Sequence, residues 1–399
     1  MNSELKIAFD AKRVVRNRTG LGNYGRTLVT DLSALLPDSQ LLLYAPDPGS
    51  DDLRQPVEQL PNVQLVYPHG RPLRLQRDLW RMRGIVSDLR RDGVSLFHGL
   101  SGELPRGIRQ AAIPSVVTIH DLIFLRHPEY YHWLDAKIYA YKFRQTCREA
   151  HRIIAISECT KRDIVELGGI SPDSIDVIYQ SCAPRFSGEV TPDAVANVRR
   201  RFGLYSPFIL SVGSIEERKN TLLAVKALQH LPPNIRLVLV GKRTPYTDRI
   251  RTFIRRHDLQ QRVVILHGVS DADLSVLYAL ADTFVYPSRY EGFGIPIIEA
   301  INSGLPVVAC TGSCLEEAGG PHSLYVSPDD AEALAAALRQ TLKGAPGRQQ
   351  RIDLSRDYVR RFAGNNVAQQ VADVYERVVL SVATLGESAT RLESLEMKV

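Results

Sequence analysis

Short apolar runs rich in Val, Ile and Leu recur from end to end of this 399-residue chain, and an amphipathic stretch follows most of them. A run without polar alternation is one that can be buried on both faces, as in a parallel sheet. The stretches between are then the helical crossovers that parallel strands require. The runs fall at residues 5–9, 40–44, 63–67, 96–98, 115–119, 153–156 and 175–178, and again at 208–212, 236–240, 263–267, 283–286, 306–309 and 324–326. Residues 180–207 between the two sets hold Pro184, Pro192, Pro207, Gly188 and Gly203 and read as a linker with one short helix. The expectation is an α/β protein of two Rossmann-like parallel-sheet domains, since one core rarely serves a chain of this length. Domain limits are expected at 1–185 and 207–365, with a linker at 186–206, a last helix at 366–385 and a polar tail at 386–399.

A composition of 44% hydrophobic and 24% charged residues is that of a globular protein, and no apolar run approaches the roughly 18 residues of a membrane span. The first residues lack the pattern of a secretory signal, so a cytoplasmic protein is expected. Five cysteines are an odd count for a disulfide framework, and Cys310 and Cys314 have no partner pair at ligand spacing, so reduced thiols and no metal site are expected. The net charge of +6 suits a phosphate-bearing substrate, an anionic membrane surface or nucleic acid. The basic segment around Arg74, Arg77 and Arg81 holds one aromatic, Trp80, and no series of aromatics interleaved for stacking, which disfavours nucleic acid. Those three arginines share a face suited to anionic headgroups or a pyrophosphate-linked lipid acceptor, although a solvated basic face explains them equally well. Leu79, Met82, Val86 and Leu89 recur at helical spacing in the same arginine-rich stretch, which begins at Arg71, and are expected to be its core stripe.

Ligands of open parallel sheets bind beyond the carboxyl ends of the strands. At such an end stands Glu291-Gly292-Phe293-Gly294-Ile295-Pro296-Ile297-Ile298-Glu299, with one carboxylate in a glycine-rich loop and a second expected in the first turn of a helix that Pro296 begins. The amides of Phe293, Gly294 and Ile295 at that helix start suit hydroxyls or phosphate, and the carboxylates suit vicinal sugar hydroxyls. The bland reading, that Glu299 only complements its helix dipole, is weaker for a pair of carboxylates so spaced. Gly213 follows another strand, and after it Arg218 and Lys219 stand before a helix, where cations oppose the dipole unless an anion joins them. A diphosphate is such an anion. Gly20, Gly22 and Gly25 follow the first strand as a loop that lets backbone approach a phosphate, a simple turn being nearly as good a reading. His120 and Asp121 end a central strand, where the imidazole suits a sugar hydroxyl and the carboxylate orients the loop. Without a role they are a satisfied strand-end pair.

These motifs, with Ser157-Glu158-Cys159-Thr160-Lys161-Arg162-Asp163, resemble those of family 4 glycosyltransferases, which have the GT-B fold, and the resemblance runs from Lys6 to about Leu380. It implies two Rossmann-like domains facing a central cleft, with a C-terminal helix crossing back to the first. It implies His120 and Glu291 at the reacting sugar, with Asp121, Phe293, Gly294 and Ile295 also on the donor sugar. Glu299 would bind the ribose, and Gly20, Gly213, Arg218 and Lys219 the diphosphate. The implied reaction is retaining, metal-independent transfer of a sugar from a nucleoside diphosphate sugar, GDP-mannose ahead of a UDP-sugar, to a glycan or lipid-linked acceptor, with no cofactor. The chain departs from the family at Ser214, where some members carry arginine, and at Gln180-Ser181-Cys182-Ala183, where many have Asn-Gly-Val-Asp. A sugar-nucleotide epimerase, a phosphorylase or a non-catalytic glycan or nucleotide binder would use the same architecture.

Overall fold

The computed structural model describes residues 5–70 and 73–396. Its strands are β1 (Lys6–Asp10), β2 (Gln40–Tyr44), β3 (Val63–Val66), β4 (Leu96–Gly99), β5 (Ser115–Ile119), β6 (Arg152–Ala155) and β7 (Ile175–Val177), then β8 (Phe208–Val212), β9 (Arg236–Val240), β10 (Val263–Leu266), β11 (Thr283–Tyr286), β12 (Val307–Cys310) and β13 (Leu324–Val326). They form a seven-stranded sheet ordered β3-β2-β1-β4-β5-β6-β7 and a six-stranded sheet ordered β10-β9-β8-β11-β12-β13. Every recorded pairing is parallel. The apolar runs sit where both faces are covered: all of β4, β5, β11 and β12 is buried. In each sheet the chain reverses its direction of growth between two strands, β1 and β4 in one and β8 and β11 in the other. The carboxyl ends of those strands flank a natural crevice.

The chain divides into two compact units, Met1–Ser181 with Gly364–Val399, and Cys182–Ala363. Each has the two-faced parallel sheet that the resemblance to the GT-B fold leads one to expect. In the first, Ile7, Phe9 and Leu41 of the sheet pack with Leu28 and Leu32 of the helix Gly20–Leu35 and with Val371 and Tyr375 of the helix Gly364–Glu396. In the second, Leu237 and Val285 pack with Leu223, Ile250 and Leu334. The last helix continues to Glu396, through residues read from sequence as a tail. That segment contains no proline and is well supplied with Ala, Leu, Glu and Arg, so nothing in it stops a helix already nucleated by its packed first turns.

The arginine-rich segment differs more. It is a helix Arg74–Leu79, a π-helical turn Trp80–Gly84 and a helix Ile85–Arg91, and Arg71 lies outside the described residues. Leu89 is buried, but Leu79 and Met82 are 57% and 42% exposed. A π turn holds an extra residue, which rotates the stripe, so the core receives Ile85 and Leu89 rather than the predicted Leu79 and Met82. Among the described residues no helix is long and apolar enough to cross a membrane.

Candidate active site

Unit two places its charged residues at the crevice flanked by β8 and β11. The main chain leaves β8 through Gly213, whose φ of +151° suits only glycine, and turns through a short 3-10 helix Glu217–Lys219 before the helix Thr221–Leu228. Arg218 and Lys219 therefore precede that helix instead of crowding its first turn. The loop after β11 brings Glu291 back to them. The Lys219 ammonium donates to Glu291 Oε1 at 2.5 Å and to the Tyr286 hydroxyl at 2.8 Å. Arg218 reaches Glu291 Oε2 at 2.9 Å, Glu216 Oε1 at 2.9 Å and the carbonyl of Tyr290 at 2.7 Å. Tyr286 also donates to Glu291 Oε1, at 3.2 Å.

The charges of the Glu291 cluster hold one another ionised. Burial by itself would push the Glu291 carboxyl up, but Lys219 and Arg218 overcome it and hold the group down at about 2. Burial likewise opposes the two cations, and Glu291 more than restores them, so both sit above their ordinary values. The anion that sequence reasoning assigned to a ligand is thus partly supplied by the protein. Burial also pushes the Tyr286 hydroxyl up to about 12. Tyr286 was not anticipated from sequence, although its place as the last residue of β11 was a usable signal. Cys314, also missed, directs its thiol to the carbonyls of Glu291 and Phe293, at 3.1 and 2.6 Å, and ties the loop to the segment beyond β12.

Gly294 precedes the helix Ile295–Asn302 with φ of +147°, and a Cβ there would lie 3.1 Å from the Ala318 Cβ. Glu299 is the fifth residue of this helix and so stands in its second turn, not its first, too deep to cap it. Its Oε2 accepts from the Tyr278 hydroxyl at 2.9 Å, and burial raises its carboxyl to about 7. No sequence signal marked Tyr278, a core aromatic by its surroundings.

In unit one, His120 follows β5 with both ring nitrogens engaged: Nε2 lies 2.8 Å from the Leu100 carbonyl and Nδ1 2.9 Å from the Gln180 side-chain nitrogen. Burial lowers its imidazole to about 4, so the ring is neutral at pH 7. Asp121 accepts from the Ile123 amide at 3.2 Å, the loop-ordering role expected of it. Beside His120, the Tyr24 ring packs edge-on at 4.8 Å, and the Tyr24 hydroxyl meets Thr118 Oγ1 at 3.0 Å. Thr118 also meets His98 Nε2 at 2.8 Å, and His98 Nδ1 meets the Tyr375 hydroxyl at 2.6 Å, a buried polar chain that sequence reasoning missed. Gly20 and Gly22 are not in a loop but in the first turn of the helix Gly20–Leu35. A Cβ on Gly22 would fall 1.8 Å from the Asn17 carbonyl oxygen, whereas one on Gly20 would meet nothing within 4 Å.

The three predicted surface arginines divide. Arg81 is only 12% exposed, bonded to Asp10 and to Glu103, and does not form part of an open cationic face. Those carboxylates raise its pKa against the opposing effect of burial. Arg77 pairs with Asp47 at 3.2 Å, and Arg74 is exposed. Among the described residues no three His, Cys, Asp or Glu side chains gather as a metal-binding group.

Residues 19–181 match the model of Glycosyltransferase Family 4, and residues 198–357 that of Glycosyl transferases group 1. The O-antigen chain mannosyltransferase B of Escherichia coli is 28% identical over 403 residues, covering 93% of this chain and 100% of that relative. The O-antigen chain mannosyltransferase RfbU of Salmonella typhimurium is 26% identical over 64% of this chain and 68% of its own length. Among solved structures, sucrose-phosphate synthase of Thermosynechococcus elongatus superposes with a TM-score of 0.76 at 21% identity, covering 95% of this chain and 100% of that one. A glycosyltransferase of Rickettsia africae does so with a TM-score of 0.74 at 18% identity, over 94% and 99%. Two successive family matches, on a GT-B arrangement of parallel sheets with the charged cluster at a strand-end crevice, make this chain an enzyme of glycosyltransferase family 4.

Proposed function

We propose that this glycosyltransferase moves a mannosyl residue, with retention, from a nucleoside diphosphate sugar to a hydroxyl of a lipid-linked bacterial surface glycan. The observation that carries the donor class is the convergence of Arg218, Lys219 and Glu291 beyond β8 and β11. Two desolvated cations beside a carboxylate suit a donor whose diphosphate gains charge while its sugar presents hydroxyls. The names of the O-antigen relatives support mannose and a surface glycan, and GDP-mannose is the donor we favour over a UDP-sugar.

In this reading the bond between the anomeric carbon and the diphosphate oxygen breaks with its electron pair going to phosphate. The acceptor oxygen bonds to the same face, and its proton passes to the departing phosphate. Arg218 and Lys219 neutralise the leaving group in place of a metal, Glu291 holds the sugar and Glu299 the ribose, with no cofactor. In the same reading His120, as a neutral ring, and Asp121 contact the transferred sugar. The work would be done in the cytoplasm, on the inner face of the membrane.

The test is a melting-temperature screen against GDP, UDP, ADP and their sugar conjugates, since a nucleotide bound only by the native state raises the melting temperature. Transfer assays with the stabilising donor follow, with the anomeric configuration of the product read by NMR. Glu291→Ala should lower transfer by about a hundredfold or more while nucleotide still raises the melting temperature. Unimpaired turnover in that variant, or an inverted product, overturns the reading. Conversion of the donor to an isomeric nucleotide sugar without acceptor would point instead to an epimerase, cleavage of a glycan by inorganic phosphate to a phosphorylase, and tight binding without consumption to a non-catalytic protein.

A further inference from the structure

Gln180 begins the segment whose prolines and glycines read from sequence as a linker, yet it is only 8% exposed. It follows β7, and its side-chain nitrogen stands 2.9 Å from His120 Nδ1. Leu100, which follows β4, brings its carbonyl to 2.8 Å from His120 Nε2. The Thr160 hydroxyl, from the helix Glu158–Gly168 that follows β6, donates to the main-chain carbonyl of His120 at 3.3 Å. Groups beyond β4, β6 and β7 thus converge on the residue at which the chain leaves β5, and the Tyr24 ring packs edge-on against it.

The chemistry of these partners leaves the ring one arrangement. A carbonyl oxygen can only accept, so the nitrogen facing Leu100 carries the hydrogen. A neutral imidazole has one donor and one acceptor, so Nδ1 keeps a bare lone pair that only a donor satisfies. The amide nitrogen of Gln180 is that donor. The ionisable groups beside the ring are committed elsewhere: the Tyr24 hydroxyl to Thr118, His98 to Thr118 and Tyr375, and the Asp121 carboxylate to the Ile123 amide. Which nitrogen of a histidine is protonated follows from the hydrogen bond that the other one makes, so the group facing Nδ1 decides the state of the whole ring. A buried acceptor deprived of its donor costs more than the bond itself is worth, which makes a loosened or turned ring the consequence of losing Gln180.

We infer that Gln180 is a positioning residue of this enzyme, holding His120 as a single tautomer with its hydrogen on Nε2 and its plane fixed as the donor sugar arrives. The inference rests on the place of His120 in the proposed reaction and adds the group on which the state of that ring depends. Gln180 acts through the imidazole and needs no contact with substrate. Its carboxylate counterpart would act in the opposite sense: Gln180→Glu sets an acceptor before each ring nitrogen, an arrangement that only the imidazolium satisfies.

The full chain, carrying isotope-labelled histidine and no donor, is followed by NMR from about pH 5 to 8, the His120 ring being assigned by its absence in His120→Phe. Wild type should show one tautomer, protonated on Nε2, across that range. Gln180→Leu should shift the Nδ1 resonance and mix the tautomers, and should lower kcat/KM for transfer about ten- to a hundredfold, the cost of losing the group that orients a ligand histidine. Gln180→Glu should protonate both nitrogens at neutral pH, the titration of the ring moving from its depressed wild-type position to above the ordinary 6.5. Circular dichroism confirms that both variants fold. A wild-type ring protonated on Nδ1, or folded variants whose ring signals match wild type, overturns the assignment. So does a loss of transfer with no change in the ring, which would make Gln180 merely structural. Ring signals that change as expected while transfer keeps its wild-type rate leave Gln180 as the partner that sets the ring and remove His120 from the proposed reaction. The signals are read without donor or acceptor, so a failed transfer assay leaves them standing.

Discussion

Glu291 and Glu299 are both glutamates in one loop-helix segment, yet their surroundings drive them apart. Glu291 is pinned as an anion by two cations, while Glu299 is raised by burial from an ordinary 4.5 to about 7, which a tyrosine hydroxyl and the field of Arg185 only partly oppose. The folded chain therefore keeps a proton on Glu299 that the unfolded chain has already lost. Its contribution to stability is full below about pH 4.5 and is lost as pH rises through about 7. The whole step is at most roughly 3 kcal/mol. Melting temperatures from pH 5 to 8 should show Glu299→Gln losing this dependence and gaining on wild type at the alkaline end. A wild-type profile that the substitution leaves unchanged would mean that Glu299 titrates normally. Both carboxylates were legible in the sequence from their spacing after a strand. Their unequal acidity was not, because it depends on Lys219, Arg218 and Tyr278, which lie 72, 73 and 21 positions away or nearby only in space.

At the scale of elements, the loop from β11 to the helix Ile295–Asn302, on which the proposed reaction rests, is held at Gly294 in a conformation few residues accept. Gly294→Ala forces a side chain onto φ of +147° and toward Ala318 at 3.1 Å. It should cost about 1–3 kcal/mol of stability and raise KM for the donor more than tenfold or so, measured by denaturant titration and steady-state kinetics. Gly344→Ala has φ of +87° with nothing within 4 Å, and serves as the control in which strain acts without the clash and away from the loop. The same scale shows where periodicity misleads. The predicted stripe through Leu79 and Met82 assumed 3.6 residues per turn, and the π turn at Trp80–Gly84 broke that assumption. The glycines near residue 20 misled in the opposite sense: they lie in a helix, and Gly22 is needed there because a Cβ would meet the Asn17 carbonyl oxygen at 1.8 Å.

Over the whole molecule, two compact units, each with its own buried apolar clusters, imply two separable stabilities. Val371 lies in the first core although it belongs to the far end of the chain. Val371→Asp should lower the calorimetric transition of unit one by several degrees, as burying an unpaired carboxylate does, while a bound nucleoside diphosphate still raises that of unit two. A single transition responding to both would show the units to unfold together. The sequence by itself determined the two parallel sheets, because strands buried on both faces must be apolar throughout and cannot hide that pattern, and it marked the loops at their carboxyl ends. Only the tertiary structure decided which charges meet. Arg81 was drawn to Asp10 and Glu103, Lys219 and Arg218 to Glu291, and both nitrogens of His120 to Leu100 and Gln180. Hydrogen bonds and ion pairs act over a few ångströms in space and have no period along the chain, so their partners become visible only when the strands have set the loops side by side.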